Sequence, residues 1–363
     1  MAGSALPQIR PALRGITPYA TSTGRGEYRR LDANEGPPPA PGLLRELLVE
    51  AASRLSYYPE YTELRRQAAV HYGTAADGVL PVCGADEGLR LVIGAFAGPG
   101  DRMVTVRPTF GMYAFYARLS GAVVAAVPRA PDFELDLDAI RDAAGGAALI
   151  VLASPNNPTA RPIRSGDLAG LLELAPERPV LLDETYAEFC GQNFIPWIER
   201  FPNLIILRTL SKSRGLPGLR CGFIIGNPAV VSSLNTLRSP YNLTATAAWV
   251  GSAVLAGDTN FRERLAAATA ARADLQRELA RLGVPVWPSA THFCLLYLGG
   301  AAGSAASALA EQSILVRTLD DDLSGFIRVS VTGPDDVAVF LSAFTPWLAC
   351  RRPEPIPAAW RLP

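Results

Sequence analysis

The chain has 363 residues and a mass of 38.6 kDa, with 34 basic and 34 acidic residues. Its length predicts about two domains, and its 49% of apolar residues excludes an intrinsically disordered protein. The net charge is zero and no apolar run approaches the roughly 18 residues of a membrane span, so we expect neither nucleic acid nor a membrane as a partner.

Residues 1–40 are rich in Pro, Gly and Arg, which is typical of an arm without a core of its own. From residue 43 to residue 227, helical stretches alternate with short apolar runs, which predicts a mainly parallel sheet covered by helices on both faces. The expected helices are 43–55, 63–72, 86–96, 112–119 and 167–174. The expected strands are 103–106, 123–127, 148–152, 180–182, 204–207 and 223–225, and a further short apolar run lies at 79–82.

A smaller α+β unit is expected after a long helix over 261–282, which Gly283 ends. Its strands are predicted from three further apolar runs, 293–298, 314–316 and 327–331. The predicted domains are an arm (1–40), a large domain (41–255), a small domain (256–350) and a Pro-rich tail (351–363).

The five cysteines form no CxxC pair, and the two histidines, His71 and His292, have no metal-ligand spacing. We therefore expect neither a disulfide framework nor a metal site. The cysteine usage favours a reducing cytoplasm, and residues 1–30 contain no apolar block of the kind that a secretory signal needs.

Lys212 is the only lysine in the chain, whereas arginine is abundant. A coding bias toward arginine explains the depletion of lysine but not the position of the one that remains. Lysine can lose its proton and form an imine with an aldehyde, and arginine can do neither. Lys212 is therefore a candidate for amine chemistry.

Polar side chains follow four of the apolar runs, where the strand ends of a parallel sheet form ligand sites. Gly84, Ala85 and Asp86 open a helix whose free N–H groups suit a phosphate, although a plain N-cap is the more common reason for such a start. Asn157 lies in a Pro-rich loop and can contact a polar ligand, or it can simply form a turn. Asp183 ends an apolar strand and needs a cation or several donors, since a lone buried carboxylate is costly.

The segment 209–220 contains an amine, hydroxyls and a guanidinium, which together suit an aldehyde cofactor that carries a phosphate. Lys212 would bind the aldehyde, while Ser211 and Arg220 would bind phosphate oxygens. A surface loop is the alternative. In the predicted small domain, Arg328 interrupts an apolar strand and faces either solvent or a carboxylate, and Arg317 lies eleven residues before it.

In this order, the motifs resemble the fold-type I enzymes that use pyridoxal 5'-phosphate (PLP), and more narrowly the histidinol-phosphate aminotransferase family. The resemblance implies an α/β fold, with a large domain around a mainly parallel seven-stranded sheet and a smaller C-terminal α+β domain. It rests on Thr17-Pro18-Tyr19, Leu31-Asp32-Ala33-Asn34-Glu35, Tyr58-Pro59, Gly84-Ala85-Asp86-Glu87, Arg107-Pro108-Thr109-Phe110-Gly111-Met112-Tyr113, 154–159, Asp183-Glu184-Thr185-Tyr186, Ser211-Lys212 with Arg220, and Ile327-Arg328-Val329.

The resemblance also implies roles for these residues. Lys212 would hold PLP covalently and carry the proton, and Asp183 would pair with the pyridine nitrogen. Asn157 and Tyr186 would bond the ring's 3'-oxygen, while Phe110 would stack on the ring. The phosphate would be bound by Gly84, Ala85, Asp86, Ser211, Arg220 and, from the other subunit of a homodimer with shared sites, Tyr58.

Substrate-binding roles follow from the same resemblance. Arg328 would clamp the substrate α-carboxylate, with Asn34 nearby, and Tyr19 and Arg317 would lie near a distal phosphate. The chain departs from the family at Gly36, Ala160, Arg214 and His292. We expect these changes to fall around the cofactor and substrate, with Arg214 adding a charge close to the cofactor.

The predicted function is an aminotransferase that exchanges an amino group between glutamate and a histidinol-phosphate-like substrate, with amino acids and 2-oxo acids as its partners. A decarboxylase of the threonine-phosphate type is the first alternative, because that family shares nearly every motif. A specialised aminotransferase of natural-product biosynthesis is another. A non-enzymatic binding protein is less favoured, because Lys212, Asp183 and Arg220 are all present.

Overall fold

The computed structural model describes residues 9, 13, 14, 16, 24–351 and 354–362. In chain order the strands are β1 Arg29–Arg30, β2 Val79–Val82, β3 Arg102–Arg107, β4 Val123–Pro128, β5 Leu149–Ala153, β6 Val180–Asp183, β7 Leu204–Thr209, β8 Gly222–Ile225, β9 Phe293–Tyr297, β10 Ile314–Leu315, β11 Arg317–Thr318 and β12 Phe326–Ser330. The helices are α1 Pro41–Ala52, α2 Thr62–Tyr72, α3 Gly84–Phe96, α4 Met112–Ser120, α5 Leu137–Ala144, α6 Ser165–Leu174, α7 Ala187–Cys190, α8 Pro228–Leu237, α9 Ala245–Gly257, α10 Phe261–Arg281, α11 Ala302–Glu311 and α12 Pro334–Ala349.

The large sheet has seven strands in the order β2-β8-β7-β6-β5-β3-β4, and only β8 runs antiparallel to its neighbours. Successive side chains of β5 enter different apolar clusters, Ile150 and Leu152 on one face and Leu149 and Val151 on the other. Helices α1, α2, α5, α6 and α9 cover the first face, and α3, α4 and α8 cover the second. The predicted seven-stranded, mainly parallel sheet is confirmed.

The second unit contains the three-stranded antiparallel sheet β11-β12-β9, whose core includes side chains of α10, α11 and α12. The run predicted as a strand over 314–316 forms only the short strand β10, which pairs with β1, and β11 follows it in the three-stranded sheet. Residues 29–31, which belong to the predicted arm of residues 1–40, pack into this unit rather than into a core of their own. Strand β1 joins this unit, and Leu31 lies in its core with 2% exposure.

The segment 354–362, which is the described part of the predicted Pro-rich tail beyond residue 351, packs against both units. The ring of Trp360 lies 4.6 Å from the ring of Phe133, which belongs to the loop after β4. The indole nitrogen of Trp287 donates to the carbonyl of Arg361 at 3.1 Å. The backbone nitrogen of Arg361 donates to Pro131 at 2.9 Å. The Pro-rich composition of this segment gave no sign that its apolar side chains, Ile356 and Trp360, pack against the protein.

The two units meet where the strands of the large sheet end at their carboxyl termini, and a cavity lies there. Within the described ranges, no helix is both long enough and apolar enough to cross a membrane.

Candidate active site

The cavity has a volume of about 520 Å³ and lies between the carboxyl ends of β5, β6 and β7 and the strands β11 and β12. Most of the residues proposed for the site from the sequence line it. They are Asn34, Ala85, Asp86, Phe110, Asn157, Asp183, Tyr186, Ser211, Lys212, Arg220, Arg317 and Arg328.

Three predicted residues are not part of this lining. Gly84 lies one residue before it, at the start of α3. Tyr58 is 75% exposed and stacks on Tyr241, with 4.1 Å between the ring centroids, so it does not contribute to the cavity of its own chain. Tyr19 lies outside the described residues.

The Lys212 amine is partly buried and donates to the carbonyl oxygen of Ala33 at 3.1 Å. Burial, followed by the positive charge of Arg328, lowers the pKa of Lys212 to about 8. The backbone of Lys212 is equally confined, since a Cβ at Gly36 would lie 1.6 Å from the Lys212 carbonyl oxygen. Only glycine fits there, which explains the first departure from the family pattern.

Asp183 ends β6 with its carboxylate buried. The hydroxyl of Tyr113 donates to Asp183 Oδ2 at 2.8 Å, and the backbone nitrogen of Thr185 donates to Oδ1 at 3.0 Å. Burial raises the pKa of Asp183 against the effect of these donors. The carboxylate therefore favours a positively charged group in the cavity.

The start of α3 forms an anion cradle with Arg220. Gly84 has a φ of +72°, and a Cβ there would lie 2.3 Å from a guanidinium nitrogen of Arg220. That guanidinium also donates to Asp86 at 3.0 Å. No described side chain caps the helix, so its first N–H groups can serve a bound anion. Ser211 adds a hydroxyl, which accepts a hydrogen bond from Thr209 at 3.0 Å.

Arginines line the opposite side of the cavity. Arg328 is 8% exposed and donates to the carbonyl of Asp32 at 2.6 Å and to the side-chain oxygen of Asn157 at 2.5 Å. The β11–β12 register pairs Arg317 with Arg328. The open question of where Arg328 points is thus resolved in favour of the cavity, where a guanidinium pair suits an anionic substrate.

None of the four departures belongs to the cavity lining, and the expectation that Arg214 adds a charge beside the cofactor is wrong. The Arg214 guanidinium lies 3.4 Å from the Phe261 ring centroid and 3.3 Å from the ring nitrogens of His71. His292 is buried with its ring stacked on Phe189 at 4.5 Å, and burial lowers the pKa of His292 to about 3. Ala160, the fourth departure, is buried with a φ of +56°.

Arg214 belongs to a group of buried and partly buried polar residues that we call the charge cluster: His71, Glu188, Ser213, Arg214 and Asp258. His71 contacts Glu188 at 3.0 Å, and the Ser213 hydroxyl donates to the same carboxylate. Arg214 pairs with Asp258 at 3.5 Å, a contact that needs a cation at this position.

Several residues of the lining received no role from the sequence, among them Tyr113, Thr209 and Arg25. Tyr113 lies three residues after Phe110, at the start of α4, and Thr209 ends a buried strand, so both positions could have been predicted from the sequence. Arg25 lies in a segment without any periodic pattern, and nothing in the sequence indicated its place.

Comparison with known proteins gives the class of this fold and site. Residues 24–344 match the family described as aminotransferase class I and II. The histidinol-phosphate aminotransferase of Thermococcus gammatolerans is 35% identical over 343 residues, which cover 92% of this chain and 96% of the relative. That of Yersinia enterocolitica is 36% identical and covers 93% and 92%, respectively.

Solved structures agree on the fold. The histidinol-phosphate aminotransferase of Sinorhizobium meliloti, in complex with PLP, superposes with a TM-score of 0.86 at 24% identity, covering 96% of this chain and 99% of that chain. The aspartate aminotransferase of Thermus thermophilus, with maleate, superposes with a TM-score of 0.80 at 20% identity, covering 94% and 100%.

The chain belongs to the class I and II aminotransferase family. Within that family it is similar over nearly its whole length to histidinol-phosphate aminotransferases. The predicted fold type, the enzyme class and the dependence on PLP are thereby confirmed.

The chain's own residues fit that cofactor. The cradle formed by Gly84 and Arg220 matches its phosphate, and Asp183 offers a buried carboxylate to its ring nitrogen. The side-chain oxygen of Asn34 is buried and has no hydrogen-bond partner among the described residues, so a polar group inside the cavity would satisfy it. Lys212 supplies an amine of lowered pKa on the same wall.

Proposed function

We propose that this aminotransferase exchanges an amino group between glutamate and the carbonyl compound that corresponds to histidinol phosphate. Relatives of that activity at 35–36% identity support this assignment over most of the chain. The observation that carries it is the meeting of Lys212, Asp183 and two arginines, Arg317 and Arg328, in one cavity. A phosphorylated substrate and a dicarboxylate both need such cations.

In this proposal Lys212 binds the cofactor aldehyde, and Asp183 pairs with the ring nitrogen. Phe110 contacts the ring face, while Asn157 and Tyr186 contact the 3'-oxygen. The side-chain oxygen of Asn157 accepts from Arg328, which leaves its nitrogen as the donor. The phosphate-binding residues are Gly84, Ala85, Asp86, Ser211 and Arg220.

The substrate would bind on the arginine side. Arg328 binds the α-carboxylate of glutamate with a planar guanidinium that fixes the Cα–H bond. Asn34 lies beside it and contacts the hydroxyl of Tyr186 at 2.9 Å. Arg317 and, in the proposal, Tyr19 bind the distal phosphate of the second substrate.

The bound cofactor supplies a cationic ring that withdraws the electron pair of the substrate Cα–H bond. Lys212 takes the proton from Cα, and its pKa of about 8 leaves part of the amine neutral near physiological pH. Asp183 keeps the proton on the ring nitrogen by remaining ionised beside it. Arg328 holds the carboxylate still while the proton moves.

Replacement of Lys212 by alanine tests the proposal. The native protein should be yellow and should form glutamate from histidinol phosphate and 2-oxoglutarate. Borohydride should remove the yellow colour by reducing the bond between Lys212 and the cofactor. Lys212→Ala should lose roughly 10³-fold or more in kcat, because it removes the proton carrier. Release of carbon dioxide without glutamate, or a fully active Lys212→Ala variant, would refute this function. Arg200→Ala, an exposed change, is the control.

We also propose a cytoplasmic homodimer with shared sites. Tyr58 is exposed, together with the apolar side chains of Leu55 and Tyr57, and would reach the cofactor phosphate of the partner subunit. The five cysteines are free thiols, which suits a reducing compartment. Sedimentation should give twice the chain mass, and mixing inactive Lys212→Ala with Tyr58→Ala subunits should restore part of the activity. A monomer with full activity would disprove the shared site.

A further inference from the structure

Tyr113 is a second aromatic residue on the turn that carries Phe110, and it contacts Asp183. It lies at the start of α4, is 1% exposed, and also lines the cavity. Its hydroxyl donates to Asp183 Oδ2 at 2.8 Å. The ring of Phe110 lies 5.7 Å from the Tyr113 ring, edge to face, so one turn fixes both.

The direction of this hydrogen bond is unambiguous. Burial, followed by the neighbouring Asp183 charge, raises the pKa of the Tyr113 hydroxyl well above its usual range. The hydroxyl therefore keeps its proton and donates to the carboxylate. The Arg129 charge opposes this shift, and its guanidinium donates to the Phe133 carbonyl at 2.8 Å.

The donor matters because burial raises the pKa of Asp183. Thr185 and Tyr113 oppose that effect, and each bonds a different carboxylate oxygen. An ionised carboxylate has about four acceptor positions, so these two bonds fix its rotation and leave positions open toward the cavity. Without the hydroxyl, the carboxylate would bind a proton more readily and could turn.

We propose that Tyr113 is a positioning residue that holds Asp183 ionised and oriented toward the ring nitrogen of the cofactor. The inference rests on the proposed function, since it takes Asp183 as the partner of that nitrogen. Tyr113 acts through Asp183 and supplies no proton to the substrate.

Tyr113→Phe removes one buried oxygen and keeps the ring. The matched control is Tyr297→Phe, a buried tyrosine in the aromatic cluster of the second unit. In the protein without cofactor, infrared spectroscopy follows the carbonyl stretch of the protonated Asp183 carboxyl, which is assigned by its loss in Asp183→Asn. Tyr113→Phe should move this titration midpoint upward by roughly one pH unit, while the control leaves it unchanged.

In the holoenzyme, kcat of Tyr113→Phe should fall about tenfold to a hundredfold with KM within about twofold. Insertion of 4-aminophenylalanine at position 113 restores a donor and should recover both the midpoint and kcat, which also guards against a variant that folds poorly. An unchanged midpoint, or a shifted midpoint with normal kcat, overturns the inference. Failure of the proposed function is distinct, because the native protein itself would then form no glutamate from histidinol phosphate and 2-oxoglutarate, whatever the titration midpoint of Asp183.

Discussion

The cavity and the charge cluster touch at adjacent residues, since Lys212 lies in the cavity and Ser213 belongs to the cluster. The two regions differ in how their charged groups are compensated by neighbouring groups. In the cluster, Glu188 contacts His71 and Ser213, and its pKa falls to about 2 because these bonds and the Arg208 charge outweigh burial. In the cavity, burial dominates instead, raising the pKa of Asp183 and lowering that of Lys212.

The opposite pKa shifts distinguish charged residues that stabilise the fold from charged residues that bind a ligand. A cluster whose charges find partners within the chain stabilises the fold, whereas charges left under-compensated in a cavity favour a ligand that completes them. Because Ser213 and Arg214 directly follow Lys212 and are bonded within the cluster, the cluster fixes the backbone from which Lys212 projects. Charge near a cofactor site is therefore informative only when its partners are known.

The largest effect on stability is expected from Asp258→Ala, which removes a carboxylate from the charge cluster and leaves the cavity residues unchanged. Asp258 is buried and pairs with Arg264 at 2.6 Å and with Arg214 at 3.5 Å. Its removal leaves two poorly solvated guanidiniums, so the free energy of unfolding should fall by about 3 kcal/mol. Urea unfolding of the cofactor-free protein measures this loss, and kcat of the folded variant should stay within about twofold of native.

The matched control is Glu173→Ala, which breaks the exposed Arg200–Glu173 pair and should cost less than about 1 kcal/mol. A tenfold loss of kcat in Asp258→Ala without loss of stability would place the cluster in the chemistry and break the comparison.

A smaller effect, confined to acid pH, is expected from His292→Asn. The folded pKa of His292 is about 3, below the usual value of 6.5, so the unfolded chain binds the extra proton between these values. Stability is therefore lost as pH falls from about 6.5 toward 3, and this one group should cost about 2 kcal/mol at pH 5 relative to pH 7. Asparagine has no such titration.

Urea unfolding at pH 7 and pH 5 gives the loss of unfolding free energy for each protein. The loss in the native protein minus the loss in His292→Asn is the contribution of His292. Identical losses in the native protein and in His292→Asn would mean that the buried ring is protonated in the fold. It would then belong with the compensated charges of the cluster.

The sequence supported prediction where a local pattern implies a tertiary place. Asp183 follows a short apolar strand and Lys212 follows another, and parallel strands bring their carboxyl ends together. Arg214 could not be placed in this way, because its partner Asp258 lies far along the chain. Helix α9 was missed since it is apolar all round, with Ala247, Val250 and Val254 all buried, and so has no periodic pattern.

The docked carboxyl-terminal segment has a practical consequence for handling the protein. Trp360 and Ile356 cover an aromatic interior formed by Phe133, Trp287 and Phe326. A protease that cleaved after Cys350 would expose this apolar surface to solvent and remove one set of contacts between the two units. Affinity tags and fluorescent fusions are accordingly better placed at the amino end, and intrinsic tryptophan emission offers a reporter of whether the segment stays in place.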